Sequence, residues 1–263
     1  MMRRVLNAYH VESIKAFRSR ATYVGPILIV LLIGAALFVH PVRRDEHSDY
    51  DFIAYAAPSA LNVLGTLLIV SYSAGLVAGE ISSGTIRLVL VRPLRRGEFI
   101  LAKFLVGLTY AMALTALAGI TAWSAAWILG DLTGVRFGGE VLYTDRDMRV
   151  AFLMAIGLNL PPQFAAVAYA LFVSTCIRNA ASAVIVSVGA WILLDAIKYP
   201  LNIAPYLFSS YLDSSWQPFS ERCMGIESAF SPSSLFGIGV SVVSMIVFLT
   251  GAALVLSRKD LSA

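Results

Sequence analysis

Long stretches with no charged side chain alternate along the chain with short charged clusters. Five are plain, at residues 21–42, 52–79, 104–130, 150–177 and 228–257. A sixth, 179–194, is shorter, rich in Ala, Val, Ile and Leu, and carries Trp191 near its end. A helix needs about 20 mostly apolar residues to cross the hydrocarbon core of a bilayer. The pattern therefore predicts an all-α membrane protein with six transmembrane helices, at about 22–41, 54–79, 104–129, 152–177, 180–196 and 235–257. They form a single transmembrane domain, 21–263. The stretch 195–234, rich in aromatic, Ser and Pro residues, is too irregular to be one span and is expected outside the membrane on the far side.

Residues 1–20 follow another rhythm. At 100° per residue, Val5, Leu6, Tyr9, Ile14 and Phe17 share one half of a helix, and Arg3, Arg4, Glu12, Lys15 and Arg18 the other; Val11 and Arg20 break the pattern. This is either an amphipathic helix lying in the membrane interface, the favoured reading, or a basic flank that only fixes topology. Orientation follows from Lys and Arg, which accumulate on the cytoplasmic side. With the N-terminus inside, the cytoplasmic segments hold 1–20, the 80–103 loop, Arg178 and the Arg258–Lys259 end, which together carry 13 of the 20 Lys and Arg residues. Both termini are then cytoplasmic, in the cell (inner or plasma) membrane. The opposing Arg43–Arg44 pair is offset by Asp45, Glu46, Asp49 and Asp51.

Composition narrows the function. The chain is 58% hydrophobic and 14% charged, where soluble domains carry about 25%. A net charge of +4, dispersed, gives no case for nucleic acid. Cys176 and Cys223 support neither a disulfide framework nor a cysteine zinc site; they should lie a membrane thickness apart and not bond to each other. A P-loop needs Gly directly before its Lys, but the four lysines follow Ile14, Ala102, Ile197 and Arg258. His10, His40 and His47 lack metalloprotease spacing, no Gly-x-Ser-x-Gly elbow is present, and no carboxylate sits at mid-span as a proton-coupled carrier usually requires. The chain is expected not to be an enzyme, with no catalytic or metal-binding residues and no cofactor of its own.

Within the spans, Ser71, Gly75 and Gly79 mark a small-residue face of span two, read as an intrachain packing seam ahead of a subunit interface. Asn62, Tyr72, Asn159 and Gln163 are either residues of a substrate path or interhelical hydrogen bonds. Pro161–Pro162 either kinks span four or starts it; the second reading, with 147–159 as a separate interfacial helix, is preferred.

The most informative stretch is the 80–103 loop. Ser82 or Ser83 offers a helix cap, Ile86 and Leu90 share a face, Pro93 stops the helix, and Arg92, Arg95 and Arg96 face headgroups or an acidic partner. Glu80 at the end of span two, Gly84–Thr85, the apolar run from Ile86 to Leu90 with Arg87, Pro93, Arg95 or Arg96, and Lys103 at the start of span three resemble the ABC-2 family of ABC-transporter permeases. Residues 1–20 resemble that family's elbow helix, 171–182 with Arg178 its tight turn between spans four and five, and 195–234 its extracytoplasmic re-entrant segment. The 131–149 segment, longer and more charged, departs from the pattern.

The resemblance implies a coupling helix between spans two and three that docks into a separate cytosolic ABC ATPase. Two ATPase copies would carry Mg-ATP, and a second permease copy or paralogue would complete a dimer among membrane lipid. It implies an exporter, and the apolar spans point to a hydrophobic or amphipathic substrate. The alternatives are an ion-coupled secondary transporter or channel, and an integral membrane enzyme.

Overall fold

The computed structural model describes residues 2–42, 50–84, 95–130, 132–137, 140–230 and 233–258. Six helices among them are long and apolar enough to cross a membrane. An amphipathic α1 (Met2–Arg18) precedes α2 (Ala21–Val39). The second span is composite: α3 (Tyr50–Ser59), a π-helical turn (Ala60–Gly65) and α4 (Thr66–Ser82). Then come α5 (Arg96–Leu129), α6 (Asp145–Cys176) and α7 (Ala180–Ile197). Two short helices, α8 (Ser210–Ser214) and α9 (Gln217–Cys223), lead to α10 (Ser233–Arg258). Successive spans alternate in direction, so residues 2–20, 80–84, 95–103, 174–180 and 256–258 share one end of the bundle, here the α1 end.

The fourth span, α6, is the hub; it packs against α4, α5, α7 and α10. Its buried alanines, among them Ala151, Ala155, Ala165 and Ala168, let neighbouring backbones approach, the usual basis of close helix packing in lipid. Span three meets it at Gly107, where a Cβ would lie 2.5 Å from Val167. The first, fifth and sixth spans leave most of their apolar surface outward, as lipid-facing helices do.

Four expectations change. First, α6 runs unbroken for 32 residues with Pro161 and Pro162 inside it, so span four neither starts at Pro161 nor leaves 147–159 as a separate helix. The two prolines free the carbonyls of Gly157 and Leu158 from helical donors, and packing holds the helix through them. Second, among the described residues Gly75 and Gly79 form no intrachain seam: a Cβ on either would meet nothing within 4 Å. Third, α4 runs on through Ser82, with Ser83 as its C-cap; the helix that either serine was expected to start lies outside the described residues. The amide of Ser83 donates to Gly79 O and that of Gly84 to Ile81 O, with Gly84 at φ +70°, the left-handed cap that glycine adopts at little cost. Fourth, the described chain is not wholly helical. Val135–Phe137 (β1) and Glu140–Tyr143 (β2) pair antiparallel, and Thr144 with Asp147 forms the capping box that opens α6.

The π turn has a local cause. Pro58 has no N–H to give Ala54, and downstream the ladder widens over Ala60–Gly65 while Thr66 Oγ1 donates to Leu61 O at 3.1 Å. Asn62 lies within that turn.

Candidate functional site

At the α1 end, four charged side chains from three helices meet. Lys103 lies two turns inside α5, not at its start, because the helix begins at Arg96, where the Arg95 amide donates to the Glu98 carboxylate at 2.9 Å. Its ammonium is nearly sealed from solvent, at 3% side-chain exposure. It donates to Glu12 of α1 and, at 2.6 Å, to Glu80 at the end of α4. Lys15 closes the ring, 2.8 Å from Glu12 and 3.1 Å from Glu80. Two cations and two anions balance, and the ring of Phe99 lies 5.4 Å under the Lys103 ammonium. Burial alone would raise the Glu12 carboxyl, but Lys103 and then Lys15 outweigh it and hold the carboxyl below its ordinary value. Burial would likewise lower Lys15, yet Glu12 and Glu80 carry it above its ordinary value.

The sequence singled out Glu80 and Lys103 as the two ends of the loop, without pairing them; it did not indicate Glu12 and Lys15. The apolar half of α1 is not what docks. Leu6, Ile14 and Phe17 remain exposed, while Val5 and Glu12 are buried where α1 packs against α5. The available signal was chemical: Glu12 is the single acid before Asp45, and a cation at the edge of an apolar run needs an anion if it is buried.

Between these anchors, Thr85, Ile86, Arg87, Leu90 and Pro93 of the predicted coupling helix lie outside the described residues. On the return side, Arg96 Nη1 donates to Leu256 O at 2.7 Å and Ser257 O at 2.6 Å, satisfying carbonyls that the end of α10 leaves without helical donors. Arg178 is exposed in the α6–α7 turn, beside Asn179, whose Oδ1 caps α7 through the amides of Ala181 and Ser182. One further bond ties this end to the hub: the hydroxyl of Ser174 accepts from Ala78 N and donates to Ala74 O. It thus sits inside the backbone ladder of α4, one turn before Glu80.

A second polar group lies deeper. Asn159 Nδ2 donates to Leu212 O and Ser215 Oγ, both at 3.1 Å, and Gln163 Nε2 donates to Asn159 Oδ1 at 3.0 Å. Asn62 Nδ2 reaches Asp213 at 2.8 Å. Three of the four path candidates therefore converge, and what they hold is the 204–223 segment, whose Phe208, Leu212, Trp216, Phe219 and Cys223 are buried. Tyr72 stands apart, stacked on Tyr110 at 4.0 Å between ring centroids. Cys176 and Cys223 are both free thiols, one exposed and one buried.

Asn159→Leu should strand the Gln163 amide inside the bundle and leave Leu212 O with the Ser215 hydroxyl as its remaining side-chain donor. A stranded group costs about 1–3 kcal/mol, so a clear drop in thermal stability in detergent and faster proteolysis near Tyr211 are expected. Wild-type values for both would show that the cluster does not hold the segment.

Residues 26–262 match the family described as "Protein of unknown function (DUF2705)". The chain belongs to this family. It is also similar to a Bacillus subtilis (strain 168) protein described as "Uncharacterized membrane protein YdbK", 28% identical over 243 residues, or 89% of this chain and 94% of that protein. With six membrane-crossing helices, this DUF2705 member is a multi-pass membrane protein. The family match takes in Glu80, Lys103 and Asn159, and begins after Glu12 and Lys15.

Proposed function

We propose that the chain is the transmembrane permease subunit of an ATP-driven exporter. Two copies, or this chain and a paralogue, would assemble with two cytosolic ATPase chains carrying Mg-ATP. The termini and the α1 end would face the cytoplasm of the cell membrane, and the substrate would be hydrophobic or amphipathic.

The observation that carries this reading is the Glu12–Lys15–Glu80–Lys103 ring. It fastens both flanks of the 85–94 loop, and α1 with them, into one unit. A partner that moved the loop would move spans two and three together, and Arg96 would pass the displacement to span six. Ser174 would pass it to span four, whose Asn159 holds the 204–223 segment at the far side of the bundle. An ion-coupled carrier has no use for a charged clasp of this kind and would place its titratable groups along a path.

The test is co-purification of the tagged chain with residues 85–94 intact or replaced by Gly and Ser. The intact chain should bring down a protein that hydrolyses ATP, and the replaced chain should not, at equal expression and unchanged thermal stability. An intact complex without ATP hydrolysis overturns the proposal.

A further inference from the structure

Spans three and four touch at Gly119, where a Cβ would lie 2.8 Å from Ile156 Cδ1. Beyond that contact, away from the α1 end, a groove of about 800 Å³ opens between α5 and α6, within the usual ligand-pocket range of ~300–1,000 Å³. Ile120, Trp123 and Trp127 wall it from one helix and Phe152, Leu153 and Ile156 from the other. Ile120, Trp127 and Leu153 are 66%, 70% and 66% exposed, so the groove opens sideways on the apolar outer surface of two spans. There the solvent is acyl chain.

The mouth has different chemistry. Ser124, Thr133 and the guanidinium of Arg149 line it. Arg149 Nη2 donates to Asp145, which also accepts from the hydroxyl of Tyr50. The guanidinium is thereby held at the groove's end, and its fork of five donors can also offer two parallel N–H groups to a pair of oxygens on an anion such as a phosphate. Arg149 sits one turn into α6 and Trp127 one turn from the end of α5, the depth at which tryptophans and headgroups meet the bilayer surface. From Arg149 to Ile156 the helix rises about 10 Å, the reach of the upper part of an acyl chain.

We propose that this groove is a phospholipid site, with one acyl chain along Trp123, Phe152 and Ile156 and the phosphate on Arg149. The site is independent of the export reading.

The test uses the full chain purified in detergent, with bound lipid counted by native mass spectrometry. The probes are phosphatidylglycerol and a diacylglycerol with the same acyl chains. Wild type should retain phosphatidylglycerol about 5-fold more strongly, the effect of one arginine on an anionic headgroup. Arg149→Gln should remove that preference and leave diacylglycerol retention unchanged. Ala116→Trp, at an exposed position lining the same groove, should reduce retention of both at an unchanged melting temperature. Equal retention of the two probes by wild type, or an unaltered preference in Arg149→Gln, overturns the proposal. Disulfide crosslinking of a Leu153→Cys variant between two copies would also overturn it, by assigning the groove to a subunit interface.

Discussion

Replacing Lys103 by alanine should destabilise the chain by roughly 3–5 kcal/mol, the cost of removing one partner from a buried ion pair. Lys103 is 2% exposed and is the inner cation for both Glu12 and Glu80. Without it, two carboxylates at 9% and 13% side-chain exposure lose their buried cation, while Lys15, at 51% exposure, is screened by solvent. Lys15→Ala leaves the inner pairs intact and should cost only about 0–1 kcal/mol. The two variants, melted side by side in detergent, separate a buried anchor from surface charge. Equal melting temperatures would mean that Lys103 is solvated in the folded chain. Removing all the charges at once, as Lys103→Met with Glu12→Gln and Glu80→Gln, should recover part of the loss, because replacing a whole buried ion cluster is far less harmful than breaking it. If the triple variant is also inactive in transport, the ring serves motion as well as stability.

The sequence was most readable where one physical rule acted alone. Charge-free length located the six spans, since lipid admits little else. The Lys103 helix start was harder to read: a charged residue two turns inside a membrane helix breaks that rule unless anions from distant segments meet it, and one of these, Glu12, lies 91 residues away. The prolines of α6 misled for a related reason. Local propensity ends a helix there, whereas packing against four neighbouring helices keeps it whole. Gly75 and Gly79 were legible as a small-residue motif, but whether a partner helix covers them depends on tertiary placement, and among the described residues none does. Asn159 was legible as a polar residue at mid-span. Its partners were not, because Leu212 and Ser215 belong to a segment whose sequence has no regular period.

Gly84 offers the sharpest separation of the export reading from a purely structural loop. It caps the second span with φ +70°, so any substitution by an ordinary L residue carries backbone strain of about 1–2 kcal/mol. A Cβ placed there meets no atom of the described residues within 4 Å, so these do not resist bulk. Gly84→Ala and Gly84→Trp should therefore be equally stable as purified chains, within about 0.5 kcal/mol, with Gly84→Asn closer to wild type because asparagine tolerates the left-handed region. Their behaviour in the assembly should diverge. If residues 84–95 seat against an ATPase, an indole at the edge of that contact should abolish co-purification of the ATPase and substrate-stimulated ATP hydrolysis, while alanine, equally strained but small, keeps both. The comparison removes backbone strain from the outcome, which a single tryptophan variant would leave mixed with the loss of docking. Should Gly84→Trp assemble and transport as Gly84→Ala does, the loop is not the docking element, and the exporter assignment falls with it.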